Sequence, residues 1–269
     1  MIAIPIALGL LCAMLVNGLA DNLAREEDVP FPAMFLPRCS YCDAQRKVRD
    51  WSAIFSNLFQ SGRCLRCGAP RPFRDLLVEA ILWVGLPAIW MTGTSDVLGL
   101  LIGGWILSAF LLFTVIDFEH RLVAVEAVAL VSLILLLEGW ILGTDNLIRM
   151  LEGGLVGFAV FLLFYFFGKF LAGLLNLGQG IEPLGFGDVI LAALVGFVTG
   201  WPAILLAIFV SIILGGMAGL GLSVFSLLKK SPLQNATMAY GPYLLVAGLL
   251  VYFFGGQILG GVMNIFNVF

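Results

Sequence analysis

Charge is what this chain has least of. Only 12% of its 269 residues are Asp, Glu, Lys or Arg, against 61% hydrophobic residues and a mean hydropathy of +1.06. Soluble domains carry about 25% charged residues, so that class is excluded and a polytopic membrane protein is expected. Basic residues number only 14, and nine of them fall between Arg25 and Arg74. No basic face is left for a nucleic acid, and none is expected as a partner. No Lys or Arg precedes the first apolar run. That run therefore lacks the charged head of a secretory signal and reads as a retained helix. Histidine is nearly absent as well: His120 stands alone, three residues after Asp117. It could hydrogen-bond that acid, although a boundary histidine on a short loop is more often solvated.

What the chain has in abundance is apolar runs. Crossing ~30 Å of hydrocarbon at 1.5 Å per residue takes roughly 18 or more apolar residues. Eight runs qualify as candidates, near residues 2–19, 76–93, 97–116, 122–143, 150–175, 188–200, 202–227 and 240–263. The sixth is short, and Gly200-Trp201-Pro202 predicts a turn after it. Loops retained in the cytoplasm are enriched in Lys and Arg. The basic segment 21–75 is thus expected inside and the N-terminus outside. Threading the remaining runs alternately puts Arg121, Lys229 and Lys230 inside and leaves Arg149 outside.

The inside segment holds four of the five cysteines, as Cys39-Ser40-Tyr41-Cys42 and Cys64-Leu65-Arg66-Cys67, with 21 residues between the pairs. Two such knuckles supply four thiolates that close tetrahedrally around one zinc and leave no position for water. A structural zinc is expected, since a reducing cytoplasm disfavours disulfides. A loop of about 55 residues buries little core, so the metal would supply much of its folding free energy. The expected fold class is all-α: a polytopic membrane protein with about eight transmembrane helices and a small cytoplasmic zinc-binding loop domain. The expected organisation is a first transmembrane helix at 1–20, a four-cysteine zinc-binding domain at 21–75 and a transmembrane domain at 76–269.

Two acids stand at the edges of apolar runs. Asp117 closes the third, and Asp188 opens the sixth within Gly185-Phe186-Gly187-Asp188. An ionisable group at a membrane boundary is costly and by default functional. The threading brings both to the cytoplasmic face. Two carboxylates held close cannot both ionise readily, so one keeps a proton while the other activates water, the chemistry of an aspartic protease. Gly185 and Gly187 are expected to leave room for a substrate strand and to permit unusual backbone angles. The plain alternative makes Asp117 a helix cap and Asp188 an ordinary acid at a helix start.

Further residues follow in order along the chain. Asn17 and Arg25 come before the knuckles, which continue as Gly62-Arg63-Cys64 and Cys67-Gly68-Ala69-Pro70. Leu77-Val78-Glu79 opens the next run, then come Ile116-Asp117, Glu182, Gly185-Phe186-Gly187-Asp188 and Tyr240-Gly241-Pro242-Tyr243. In this order and spacing the chain resembles the type IV prepilin peptidase family over nearly its whole length.

The resemblance implies a membrane aspartic endopeptidase of the bacterial inner membrane, with Asp117 and Asp188 as catalytic pair. It would remove the basic leader of type IV prepilins or pseudopilins at the cytoplasmic boundary. Glu182, just ahead of the glycine loop, could meet that leader or be an ordinary solvated loop acid. It also implies methylation of the new N-terminus with S-adenosylmethionine as donor. The partners expected are a prepilin or pseudopilin and membrane lipid.

The chain departs from the family pattern at three places. Ile190 replaces a usual Lys, Val123-Ala124-Val125-Glu126 replaces a Pro-Asp pair, and Ala53 stands in a stretch that commonly holds proline. A divergent inactive paralogue is the alternative these changes raise. A proton-coupled transporter would instead show repeated halves and acids near the midplane, and neither is seen. A presenilin-like protease would carry Tyr-Asp at the first acid and Pro-Ala-Leu near the end, where this chain has Ile116-Asp117 and Tyr240-Gly241-Pro242.

Overall fold

In hydrocarbon no water can satisfy a peptide group, so an apolar run must close its own hydrogen bonds as a helix. The computed structural model describes residues 2–23, 34–60, 62–92, 97–174, 184–229 and 239–266, and it is helical wherever the sequence is apolar. In chain order the helices are α1 (Ala3–Leu23), α2 (Ala53–Gln60), α3 (Phe73–Thr92), α4 (Val97–His120) and α5 (Val125–Leu142). They continue with α6 (Thr144–Leu174), α7 (Phe186–Thr199), α8 (Ala203–Lys229) and α9 (Gly241–Phe266). Each of the eight apolar runs forms one helix, and α2 lies in the polar loop, just after a short 3-10 turn at Val48–Asp50. Among the described residues, five helices are long and apolar enough to cross a membrane: α1, α4, α5, α6 and the Ala203–Val224 part of α8. Among the described residues there is no strand, only isolated bridges at Arg38 with Gln45 and Arg63 with Pro70.

The chain forms two compact units, Met1–His120 and Arg121–Phe269. In the first unit α1, α3 and α4 pack against one another around Leu82, Leu86, Leu100, Phe110 and Ile116, all fully buried. The approach of α1 to α3 is backbone to backbone. A Cβ on Gly9 would stand 2.7 Å from the Leu82 carbonyl oxygen. Eight residues further along α1, and seven residues earlier in α3, Asn17 donates through Nδ2 to the Asp75 carbonyl at 3.3 Å. These contacts fix an antiparallel register, with Gly9 level with Leu82–Trp83 and Asn17 level with Asp75.

In the second unit α6 and α7 make the closest pair. A Cβ on Gly153 would stand 2.4 Å from the Gly196 oxygen, and one on Gly157 would stand 2.3 Å from the Ala192 oxygen. Small residues at this spacing let two membrane helices touch through their backbones, where dispersion rather than water exclusion drives association. The expected turn after α7 is present. Gly200 ends the helix at φ 68°, its N–H bonding the Gly196 oxygen at 2.8 Å, and the Trp201 N–H bonds the Arg149 oxygen of α6 at 3.0 Å. Helices α8 and α9 pack on one another and on α7. Phe161 is buried, whereas Phe164, Phe166 and Phe167 are exposed on the helix surface.

Candidate active site and metal centre

The two Cys-x-x-Cys segments fold as near copies. In each, the residue after the second cysteine turns left-handed, Asp43 at φ 59° and Gly68 at φ 73°, a conformation that Gly and Asp tolerate. Its N–H then reaches back to the first cysteine's carbonyl, at 3.0 Å for Asp43 to Cys39 and 2.9 Å for Gly68 to Cys64. A second bond closes each loop, from Cys39 N–H to the Ala44 oxygen at 3.0 Å and from Cys64 N–H to the Ala69 oxygen at 2.8 Å.

The result is four free thiols whose sulfurs all lie within 4.8 Å of one another. Cys39 and Cys67 are 3.7 Å apart and Cys42 and Cys64 are 3.8 Å apart. Sulfurs on a tetrahedron at about 2.3 Å from a zinc stand about 3.8 Å from each other, whereas a disulfide needs about 2.05 Å. The cluster thus has the dimensions of a metal cage. Backbone N–H groups of Cys67 and Arg66 pull the Cys64 thiol down to about 6. Against the lowering pull of the Ala69 N–H, desolvation and the neighbouring thiols of Cys42, Cys64 and Cys39 push Cys67 up to about 12. One thiolate is ready at neutral pH, and Cys67 must give up its proton to a metal.

A buried polar network joins this cage to α3, and the linear sequence gave little sign of it. Arg46 bonds Asp50 at 3.1 Å, and Ser56 donates to the same carboxylate. Arg71 bonds Asp75 at 2.7 Å and the carbonyls of Asp50 and Trp51, each at 2.9 Å. Glu79 is wholly buried and takes bonds from Ser52 Oγ at 2.9 Å, Ala53 N–H at 2.5 Å and Ile54 N–H at 2.8 Å. Ser52 Oγ in turn accepts the Phe55 N–H at 3.3 Å. The first three N–H groups of α2, orphaned at any helix start, are thus capped jointly by its own Ser52 and by an acid from α3. The signals in the sequence were the four-residue spacing of Arg46 to Asp50 and of Arg71 to Asp75, and the place of Glu79 in Leu77-Val78-Glu79.

Asp117 lies buried in the last turn of α4. That end of a helix offers carbonyls and the negative pole of the dipole, so Asp117 cannot cap its own helix. Two residues on, Glu119 is held by Arg74, which also bonds Asp21 of α1 and lies 3.2 Å from Asp75. The end of α4 is therefore tied to α1 and α3. His120 is exposed, its Nε2 3.8 Å from Glu119.

In the other unit, Asp188 occupies the first turn of α7, its N–H bonded to the Gly185 oxygen at 3.1 Å. An acid there is favoured by the helix dipole. The flanking glycines differ from the expected backbone angles. Gly185 has φ −72° and ψ 144°, extended backbone open to any residue, and Gly187 is not among the positive-φ glycines. What Gly187 supplies is space, since a Cβ there would stand 2.5 Å from Val123 Cγ2. Gly185 is the open one. A Cβ on it would meet nothing nearer than the Asp188 carboxylate at 3.8 Å. Tyr240, ahead of α9, packs its ring on Phe161 at 5.8 Å and shares a 2.7 Å hydrogen bond with Ser211 of α8. Asp188 is near enough to act on it electrostatically. Glu182 and Arg25 lie outside the described residues. Of the residues predicted from sequence, the four cysteines are brought together; Asp117 and Asp188 belong to separate compact units.

A helical chain of several membrane-length segments, carrying a four-thiol metal group and an acid on each of two boundary turns, defines a multi-pass membrane protein with a polar loop domain. Comparison with known sequences is specific. Residues 105–220 match the type IV leader peptidase family, and residues 7–92 match the bacterial Peptidase A24 N-terminal domain. The prepilin leader peptidase/N-methyltransferase of Stutzerimonas stutzeri is 32% identical over 236 residues, 84% of this chain and 74% of that protein. The protein of the same name from Aeromonas hydrophila is 29% identical over 86% of this chain and 76% of its own. That from Pseudomonas putida is 28% identical over 93% and 82%. No solved structure matches the chain. The chain belongs to the type IV leader peptidase family.

Proposed function

We propose that this protein is a membrane aspartic endopeptidase that removes the basic leader of prepilins or pseudopilins and methylates the new N-terminus. The observation that carries the reading is the family match over residues 105–220, which contains both Asp117 and Asp188. Asp117 adds physical support, because a buried acid at the negative pole of α4 works against the helix that bears it. In the proposed reaction one carboxylate takes a proton from water, whose oxygen adds to the scissile carbonyl. The other, protonated, donates to the carbonyl oxygen. Collapse of the adduct breaks the C–N bond and returns a proton to the departing amine, with no covalent enzyme intermediate.

The proposal extends to the layout. All eight apolar helices cross, with α3, α7 and α9 joining the five of clear membrane length, and the N-terminus lies outside. The domains divide as 1–20, 21–75 and 76–269. Both acids face the cytoplasm of a bacterial inner membrane, where the prepilin's bond would emerge from lipid, and Glu182 meets the basic leader. The four-thiol cage holds zinc, which braces the loop as a structural ion. S-adenosylmethionine supplies the methyl group.

Mass analysis of a prepilin after incubation with the purified protein tests both halves. The expected product lacks the leader and carries one added methyl. Methylation without cleavage would contradict the order of steps, and retained cleavage by an Asp188→Asn variant would discard the mechanism.

A further inference from the structure

The short helix α2 is amphipathic in an unusual setting. Its buried face is Ala53 and Ser56, turned toward the polar network, while Phe55, Leu58 and Phe59 are exposed at 40%, 70% and 76%. An exposed patch of this kind on a loop domain needs an occupant. The register of α3 against α1 shows at what level it lies.

Asn17 and Asp75 mark the polar boundary of this helix pair, and Gly9 is level with Leu82 and Trp83 well inside it. From Asp75 to Trp83 is eight residues, about 12 Å along a helix, against a hydrocarbon half-thickness of about 15 Å. The ring of Phe55 packs edge-on against that of Trp83, centroids 5.9 Å apart, with Phe59 stacked on Phe55 at 6.2 Å. The N-terminus of α2 meets Glu79, which is four residues, about 6 Å, inside the same boundary. The apolar face of α2 is therefore level with the Glu79–Trp83 stretch of α3, which the proposed crossing of α3 puts at membrane depth.

We propose that α2 is an interfacial helix, lying in the bilayer surface with Phe55, Leu58 and Phe59 among the acyl chains. Amphipathic helices bind membranes in this way, apolar face down by several ångströms. The arrangement also accounts for Glu79. An acid inside the boundary of a membrane helix is costly unless its charge is met by donors, and α2 delivers its capping N–H groups there by dipping into the lipid. The inference rests on the proposed crossing of α3 and not on catalysis.

The test is photocrosslinking. Benzoylphenylalanine is placed at Leu58 or at Phe59, a conservative exchange, in the Asp188→Asn background. The zinc-loaded protein is reconstituted in phosphatidylethanolamine/phosphatidylglycerol vesicles, with metal content confirming that the loop is folded. After irradiation, peptides carrying either position should gain the mass of one phospholipid, whether or not the parent protein cleaves prepilin. Crosslinks to a second copy of the chain, crosslinks to added prepilin, or no adduct in a metal-replete protein would each overturn the proposal.

Discussion

Replacing Glu79 should unfasten α2 from α3 while leaving the cysteine cage intact. The side chain accepts hydrogen bonds from Ser52 Oγ and from the N–H groups of Ala53 and Ile54, and it is wholly buried. A hydrogen bond to a charged group contributes about 1.5–3 kcal/mol, and a buried donor left bare costs about 1–3 kcal/mol. Ser52 Oγ still accepts the Phe55 N–H and its hydroxyl can rotate toward another acceptor, so the main loss falls on the two fixed backbone donors. A Glu79→Ala change should then lower the local stability of α2 by about 3 kcal/mol. At about 1.4 kcal/mol per factor of ten, amide exchange at Ala53 and Ile54 should speed up roughly a hundredfold. Glu79→Gln should show a smaller effect, since one acceptor remains while the amide NH2 faces donors. Hydrogen-exchange mass spectrometry on the reconstituted protein reads both values. Unchanged exchange over 53–60 in Glu79→Ala would show that the carboxylate does not hold the helix, and the argument for its joint cap would fall.

Other expectations follow from the same kind of accounting. Gly196→Ala places a Cβ 2.2 Å from the Gly153 oxygen and should destabilise the α6/α7 pair by about 1–3 kcal/mol. Gly216→Ala, with nothing within 4 Å, should be neutral or stabilise α8 by about 0.5–1 kcal/mol; the thermal melt of Gly196→Ala should fall while that of Gly216→Ala stays or rises. Arg74→Met removes the guanidinium that pairs with the buried Asp21 carboxylate and should cost more than Glu119→Gln, which at the half-exposed end of the same chain of contacts should cost under about 1 kcal/mol. Metal affinity, measured by chelator competition, should fall as pH is lowered. Protons compete for thiolates: Cys64 is ionised above about 6, while Cys67, held up at about 12, must lose its proton on binding at any ordinary pH.

The apolar helices were legible because a long apolar run must close its own backbone hydrogen bonds: apolar length sets the element. Every run became a helix with ends displaced by a few residues. The largest shift is at α6, which starts at Thr144 rather than near 150, because a polar first turn adds helix without adding apolar residues. The knuckles were equally plain, since four thiols at that spacing have few other uses. What escaped was held by partners distant in sequence. Glu79 reads as part of an apolar run, and nothing near it announces that residues 52–54 will supply its donors. Arg74 looks like one of nine loop cations, yet it fastens α1 to the end of α4. The backbone angle expected of Gly187 fails for the same reason: its lack of a side chain gives room to Val123, 64 residues earlier, and its φ is not positive.

The central claim is that Asp117 and Asp188 act as one proton-sharing pair. The most direct measurement is cleavage of a purified prepilin by the reconstituted, metal-replete protein and by its Asp117→Asn, Asp188→Asn and doubly substituted forms. Groups that act as a unit are non-additive, so each single change should abolish cleavage and the double change should remove nothing more. Retained cleavage in either single variant would contradict the account, as would losses that multiply in the double.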